Sequence, residues 1–152
     1  MEAGQEMLES EKMKEIVQRN PFSRYIGMEI LEGTQGYVRA RIRLEPQLEN
    51  IYGIMHGGCA YSLADTSAGI AAASYGYKVT TLNAAFNYMR PVAGTEYLYC
   101  EAKVQRSGAG VSVVRTELLD DAGKLLADGS FTFYHLGRKT ENEKNEKNEK
   151  SC

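Results

Sequence analysis

Asp65 is the only charged residue in the alanine-rich run 57–76, and no lysine or arginine stands between Arg43 and Lys78. A carboxylate placed on a buried element costs several kcal/mol unless a donor, a proton or a cavity compensates it. Two readings follow: an aspartate satisfied by a Ser, Thr or backbone donor of a neighbouring element, or a carboxylate tuned as a base or nucleophile. Just before this run lies Asn50-Ile51-Tyr52-Gly53-Ile54-Met55-His56-Gly57-Gly58. Two glycines at a helix start let a substrate approach the backbone, where the first N–H groups lack intrahelical acceptors and point outward with the positive end of the helix dipole. Such donors can hold a developing oxyanion, and the same glycines also suit a tight turn. His56, at the helix entrance, is a candidate either for orienting a reacting group or for capping.

Spacing sharpens the inference. Asp65 follows Gly57 by eight residues, a rise of ~12 Å along a helix, which is too far for both to act on one carbonyl carbon. If both serve one site they come from different subunits. Two such helices antiparallel across a two-fold axis would bring Gly57 of one chain to Asp65 of the other, which predicts an obligate homodimer with two equivalent sites. Cys59, three residues after His56, raises the alternative of a Cys–His nucleophile in the first helical turn. The competing reading is a small buried cysteine.

The elements that must position these residues are legible from periodicity. Residues 57–76 predict one long helix ending at Gly76, apolar or small on nearly every side and therefore surrounded by protein, as when a sheet wraps a helix. In 37–44, Val38, Ala40, Ile42 and Leu44 alternate with Arg39, Arg41 and Arg43, the period of a half-buried strand. The arginine row reads as an anion site or as a solvated sheet face. A strand at Gly27–Glu32 and a turn at Gly33–Gly36 complete a hairpin over 26–45. After the helix, strands are predicted at about 79–90, 96–106, 110–120 and 124–136, separated by breaks at Pro91–Gly94, Ser107–Gly110 and Asp120–Gly123.

The fold class is thus α+β, with one long central helix wrapped by an antiparallel sheet of five to six strands. Met7, Leu8, Met13, Ile16 and Val17 give residues 1–20 the spacing of an amphipathic helical extension, closed by Asn20-Pro21. The domain proper is expected over 21–138. Residues 139–152, with Asn-Glu-Lys three times in succession, have no apolar residue to offset backbone ordering and are expected to be a disordered charged tail.

At 152 residues, 43% hydrophobic and 25% charged, the chain is sized for one globular domain. Eighteen Lys and Arg against twenty Asp and Glu leave a net charge of −2, without the basic excess that a nucleic-acid surface needs. No apolar run approaches the ~20 residues that cross a bilayer, and the first residues are acidic where a signal peptide would be basic. The cysteines Cys59, Cys100 and Cys152 lack a C-x-x-C pair, which favours neither a disulfide framework nor a zinc site and fits the cytoplasm.

The run His56-Gly57-Gly58 followed by Leu63 and Asp65, preceded by Asn50 and followed by Asn87-Tyr88-Met89-Arg90-Pro91, resembles the hot-dog-fold acyl-CoA thioesterases of the PaaI type, with their THEM-like branch. The resemblance covers about 21–136. It implies dimers joined edge to edge and paired into tetramers, and hydrolysis of CoA thioesters without a metal or cofactor beyond the substrate's own CoA. It further implies that the Gly57 N–H polarises the thioester carbonyl and that His56 helps orient that carbonyl or its loop. Asp65 of the partner subunit would activate water or attack directly, while Asn50 helps hold water or substrate. Where many relatives carry a Ser or Thr on the strand after the helix to assist the water, the matching position here is read as Asn83, with Asn87 the choice if the register shifts. Arg90 and the cluster Arg106, Ser107 and Gly108 are candidates for the CoA phosphates and pantetheine, the resemblance favouring the cluster; a strand end and a hairpin turn are the plain alternatives.

The acyl group, aryl-acetyl or medium-chain, would meet Ala60, Tyr61 and Leu63. Two other functions compete. A hot-dog hydratase or dehydratase would need a catalytic histidine beside the acid, and His135, near the end of the last strand, is poorly placed. A non-catalytic acyl-CoA-binding module would keep the CoA contacts and not need Asp65.

Overall fold

The computed structural model describes residues 3–139. In chain order it comprises α1 (Ala3–Arg19), α2 (Pro21–Tyr25), β1 (Glu29–Thr34), β2 (Tyr37–Arg43), α3 (Gly57–Ala73), β3 (Tyr77–Tyr88), β4 (Tyr97–Ser107), β5 (Val111–Leu119) and β6 (Leu125–Arg138). The six strands form one antiparallel sheet in the order β1-β2-β4-β5-β6-β3. Helix α3 carries the chain from β2 to the far edge, so β3 pairs with β6 and not with the strand that precedes the helix. One long helix lies against an antiparallel sheet, as the periodicity and the resemblance imply.

Small side chains let α3 sit close to the sheet. Ala60, Leu63, Ala64, Ala68, Ala71 and Ala72 are buried on it, against Val38, Ala40 and Ile42 of β2, Leu98, Cys100 and Ala102 of β4, and Val114, Leu118, Phe131 and Phe133 of β5 and β6. The alternation read in β2 holds: Val38, Ala40 and Ile42 are fully buried while Arg43 is exposed and Arg39 and Arg41 are half-buried. Each outward arginine meets an acid, Arg39 with Glu101 at 3.8 Å, Arg41 with Glu29 at 2.8 Å and Arg43 with Glu96 at 3.1 Å. The row is a solvated, neutralised face, with Arg41 stacked 3.9 Å over Tyr97.

Several boundaries move. The helix ends at Ala73, with Ser74 closing it, because Gly76 at φ +94° belongs to the turn into β3. Gly33 stays within β1 and Gly36, at φ +79°, makes the hairpin turn. Strand β1 starts at Glu29, later than the expected Gly27, because Gly27 at φ +74° ends the turn after α2. Helix α1 buries Met13 and Val17 over β1 but leaves Met7 and Leu8 exposed. Asn20 ends α1 and caps α2, accepting from the Ser23 N–H at 3.3 Å. The charged tail expected over 139–152 lies, from residue 140 onward, outside the described residues.

Helix α3 is not enclosed on every side. Tyr61, Ser62, Asp65, Thr66, Gly69 and Ala73 form a half-buried stripe, on which Tyr61 meets Phe86 and Phe131 and Asp65 meets Thr81. Asp65 lies on it, so the carboxylate expected inside the core stands at its boundary. Strand β3 is an edge strand of 12 residues, with Leu82 and Tyr88 exposed, as is Met89 just beyond its end. Long apolar edges left open invite pairing with another chain.

Phe131 is fully buried and touches the rings of Tyr61, Phe86 and Phe133. Phe131→Ala is expected to lower the unfolding free energy by about 3–5 kcal/mol, measured by urea denaturation.

Candidate active site

The start of α3 is built by its own sequence. His56 is the N-cap, and its Nδ1 accepts the Gly58 N–H at 2.8 Å. That acceptor role places the ring proton of neutral His56 on Nε2. The His56 carbonyl accepts from Cys59 and Ala60, and its N–H donates to the Leu48 carbonyl at 2.8 Å. The Gly57 N–H finds no acceptor among the described residues, which leaves one donor open at the positive end of the helix. The Gly57 carbonyl accepts from the Tyr88 hydroxyl at 2.8 Å.

Asn50 shapes the loop in front of this helix end. Its Oδ1 accepts the N–H groups of Tyr52 at 2.9 Å and Ile54 at 3.4 Å, while the Gly53 N–H donates to its carbonyl at 3.1 Å. Gly53, at φ +73°, makes the tight return possible. The amide nitrogen of Asn50 remains the side chain's donor. A cavity of about 270 Å³ opens here, lined by Asn50, Met55, Gly57, Ala60, Tyr88 and Arg90 among others. Three predicted site residues, Asn50, Gly57 and Arg90, thus surround one space, with His56 adjoining it. Arg90 donates from Nη1 to the Leu125 carbonyl at 3.2 Å.

Asp65 lies two helical turns further on, outside that cavity. Thr81 of β3 donates from Oγ1 to Asp65 Oδ1 at 2.7 Å, and Oδ2 accepts no hydrogen bond among the described residues. The hydroxyl on the strand after the helix is therefore Thr81, where the sequence pointed to Asn83. A β-bulge is the cause: Thr81 opposes Phe133 and Asn83 opposes Thr132, with Leu82 as the extra residue. One extra residue reverses the facing of everything beyond it. Val79 packs inward before the bulge, and Ala84 and Phe86 do so after it. Asn83 and Asn87 consequently take the outer face, where Asn87 donates to Asp128 at 3.1 Å. The signal available was that Val79 and Thr81 share one face by period two; the bulge that removes Asn83 from that face has no marker in the residues. Tyr61, one turn before Asp65, has its phenol pushed up by burial and then by the Asp65 charge, so it stays protonated at neutral pH.

The other predicted cluster lies at the opposite end of the sheet. Ser107 ends β4 and Gly108 follows in the hairpin, beside Tyr134 and His135 of β6 and the start of β3. Arg90, by contrast, follows the end of β3. Within one protomer, the candidates for holding phosphates are therefore separated by the length of β3. His135 secures the hairpin: its Nε2 lies 2.7 Å from the Ser112 hydroxyl and its Nδ1 3.3 Å from the Ala109 carbonyl, with Tyr77 stacked at 4.0 Å. Leu63, expected near the acyl group, is fully buried in the core, and Tyr61 packs edge-on against Phe86. Ala60 alone of those three lines the cavity.

Cys59 is buried, which pushes its thiol up to about 11, and the neighbouring His56 nitrogen is committed to Gly58. A Cys–His nucleophile has neither its thiolate nor its base. Among the described residues no group of three or more His, Cys, Asp or Glu is placed to hold a metal ion.

Against known proteins, the family model described as the thioesterase superfamily matches residues 52–127. Human acyl-coenzyme A thioesterase 13 is similar at 27% identity over 131 residues, 84% of this chain and 93% of its own. A Halobacterium salinarum protein, provisionally named an esterase, is similar at 30% identity over 75% of this chain and 78% of its own. The solved structure of the PaaI protein of Escherichia coli, from the phenylacetic acid degradation operon, superposes with a TM-score of 0.83 at 20% identity, covering 89% of this chain and 98% of that one.

The burial of Cys59 and Cys100 has a direct readout. In a Cys152→Ser protein, Ellman's reagent at pH 7.5 is expected to leave both thiols unreacted until guanidinium exposes them. Prompt labelling of the folded protein would contradict a Cys59 thiol held protonated up to about pH 11.

Proposed function

The chain belongs to the thioesterase superfamily, and from that premise we propose that it is an acyl-CoA thioesterase, releasing CoA and a free carboxylic acid. The observation that carries the reading is the open Gly57 N–H beside a cavity, together with a carboxylate on the same helix held at one oxygen by Thr81. The first supplies a donor for a developing oxyanion; the second leaves Asp65 Oδ2 available for water. The relative named acyl-coenzyme A thioesterase 13 supports the substrate class.

The thioester carbonyl oxygen sits on the Gly57 N–H, with His56 Nε2 and the Asn50 amide as further donors at the cavity mouth. Asp65 of the partner subunit takes a proton from water, whose oxygen adds to the carbonyl carbon, or adds to that carbon itself, in which case water then hydrolyses the acyl–Asp65 anhydride left after the thiolate departs. Collapse of the tetrahedral adduct breaks the C–S bond. Thiolate is a weak base, so its departure needs no dedicated general acid. Arg106, Ser107 and Gly108 contact the CoA phosphates or pantetheine, with Arg90 an additional cation, and no cofactor is required beyond the CoA of the substrate. The acyl group is aryl-acetyl or medium-chain.

A site divided between Gly57 and Asp65 requires a homodimer, and the open β3 edge and the half-buried stripe of α3 are the surfaces that support one. Pairing of dimers into a tetramer and a cytoplasmic location complete the reading; its buried free cysteines suit a reducing compartment. Among the described residues no helix is long and apolar enough to cross a membrane. The hydratase reading loses ground because both ring nitrogens of His135 are engaged at the hairpin, by Ser112 and the Ala109 carbonyl.

Free-thiol release from short, medium, long and phenylacetyl CoA esters tests the activity. Asp65→Asn should lose at least ~100-fold and Thr81→Ala about tenfold, while Asn83→Ala should stay within about twofold, as substitutions away from such features do. A folded, dimeric parent that releases nothing from any ester would overturn the hydrolase reading in favour of a binding module. Refolding Asp65→Asn together with Gly57→Pro, which removes the N–H at the first helical position where proline is tolerated, tests the shared site: random pairing should restore about a quarter of parental activity, because half the dimers then carry one intact site.

A further inference from the structure

The peptide joining Gly57 to Gly58 is gripped at both ends. Its carbonyl accepts the Tyr88 hydroxyl at 2.8 Å, and its N–H donates to His56 Nδ1 at 2.8 Å. The same two rings occupy the space that side chains would need. A Cβ at position 57 would lie 3.2 Å from the Tyr88 ring, and one at position 58 would lie 2.9 Å from His56 Nδ1. The paired glycines are therefore the complement of two aromatic side chains, one from the helix cap and one from the last residue of β3, and more than a loosening of the chain.

First turns of helices fray because their N–H groups lack intrahelical partners. Here the neighbouring peptide is anchored from outside the helix, so the direction of the Gly57 N–H is set before any ligand arrives. Tyr88 is itself steadied, its ring edge-on to Phe86 at 4.8 Å, and Phe86 packs against the core. Burial pushes the Tyr88 phenol up, and Tyr61 adds to the shift, so the hydroxyl remains a donor at neutral pH.

We infer that Tyr88 is a positioning residue: with His56 it clamps the Gly57–Gly58 peptide and thereby aims the Gly57 N–H at the substrate carbonyl. This rests on the reading of Gly57 as the carbonyl-polarising donor. A donor that is aimed in advance stabilises the transition state without reorganisation, so its loss falls on kcat and leaves KM alone.

The test is Tyr88→Phe, which keeps the ring and removes one oxygen. Tyr88 is 56% exposed in the protomer, so the melting temperature should stay near the parent's. The expected result is a fall in kcat of about fivefold, the scale of one neutral hydrogen bond, with KM within about twofold. Amide hydrogen exchange of Gly58 and Cys59, followed by NMR, should quicken in the same variant. Parental kcat, or a loss carried by KM, would overturn the aiming role. Parental exchange rates at Gly58 and Cys59 would overturn the clamp. The exchange arm needs no substrate: if the parent hydrolyses no thioester, the functional reading and with it the aiming role fail, while exchange still decides whether Tyr88 holds the peptide.

Discussion

Helix α3 lies against the sheet on alanines, and the rest of the molecule follows from that contact. Small side chains at Ala60, Ala64, Ala68, Ala71 and Ala72 bring the helix close enough for Phe131 and Phe133 to pack beneath it. Burial of this face holds the helix in place with little contribution from hydrogen-bonded side chains. The helix can then leave its N-terminus facing a cavity and its polar stripe only half-buried, because neither is needed to keep it docked. The residues proposed for chemistry occupy the parts of the helix that packing does not use.

Strand β3 is the second determinant, since it supplies both Thr81 to the middle of the helix and Tyr88 to its start. A regular strand would have placed Thr81, Asn83 and Asn87 on one face and Tyr88 on the other. The bulge at Leu82 lets Thr81 and Tyr88 both face the helix although they are seven residues apart. Bulges that redirect side chains near active sites are a recurrent device. Here the extra residue converts one edge strand into a support for two separate points of the site, and sends the asparagines to the outer face beside Asp128.

The protomer alone does not bring the proposed catalytic groups together. Gly57 opens on a cavity that Asp65 does not reach, and the two clusters of CoA-binding candidates stand at opposite ends of the sheet. The homodimer proposed above would answer each incompleteness by the same operation, a two-fold axis that reverses one helix against another. The long β3 edge and the half-buried stripe with Ser62, Asp65, Thr66 and Gly69 lie where such a partner would cover them.

Much of this was legible in the residues. The period-two pattern of β2, the alanine run of α3 and the glycine-marked breaks between β4, β5 and β6 specify an α+β chain with the elements in their observed order, because burial of one face imposes a period on the sequence. The type and spacing of His56, Gly57 and Asp65 likewise pointed to a helix N-terminus and a carboxylate too distant to share one protomer's site. Tertiary structure decided the rest. Leu63, a candidate for the pocket, proved to be core, Asp65 stands at the core's boundary and not within it, and the side chain of β3 that meets Asp65 is Thr81 and not Asn83. Each depends on which face a residue presents and on what another strand opposes to it. A one-residue bulge changes facing without changing composition or period on either side, so only the register between β3 and β6 could reveal it.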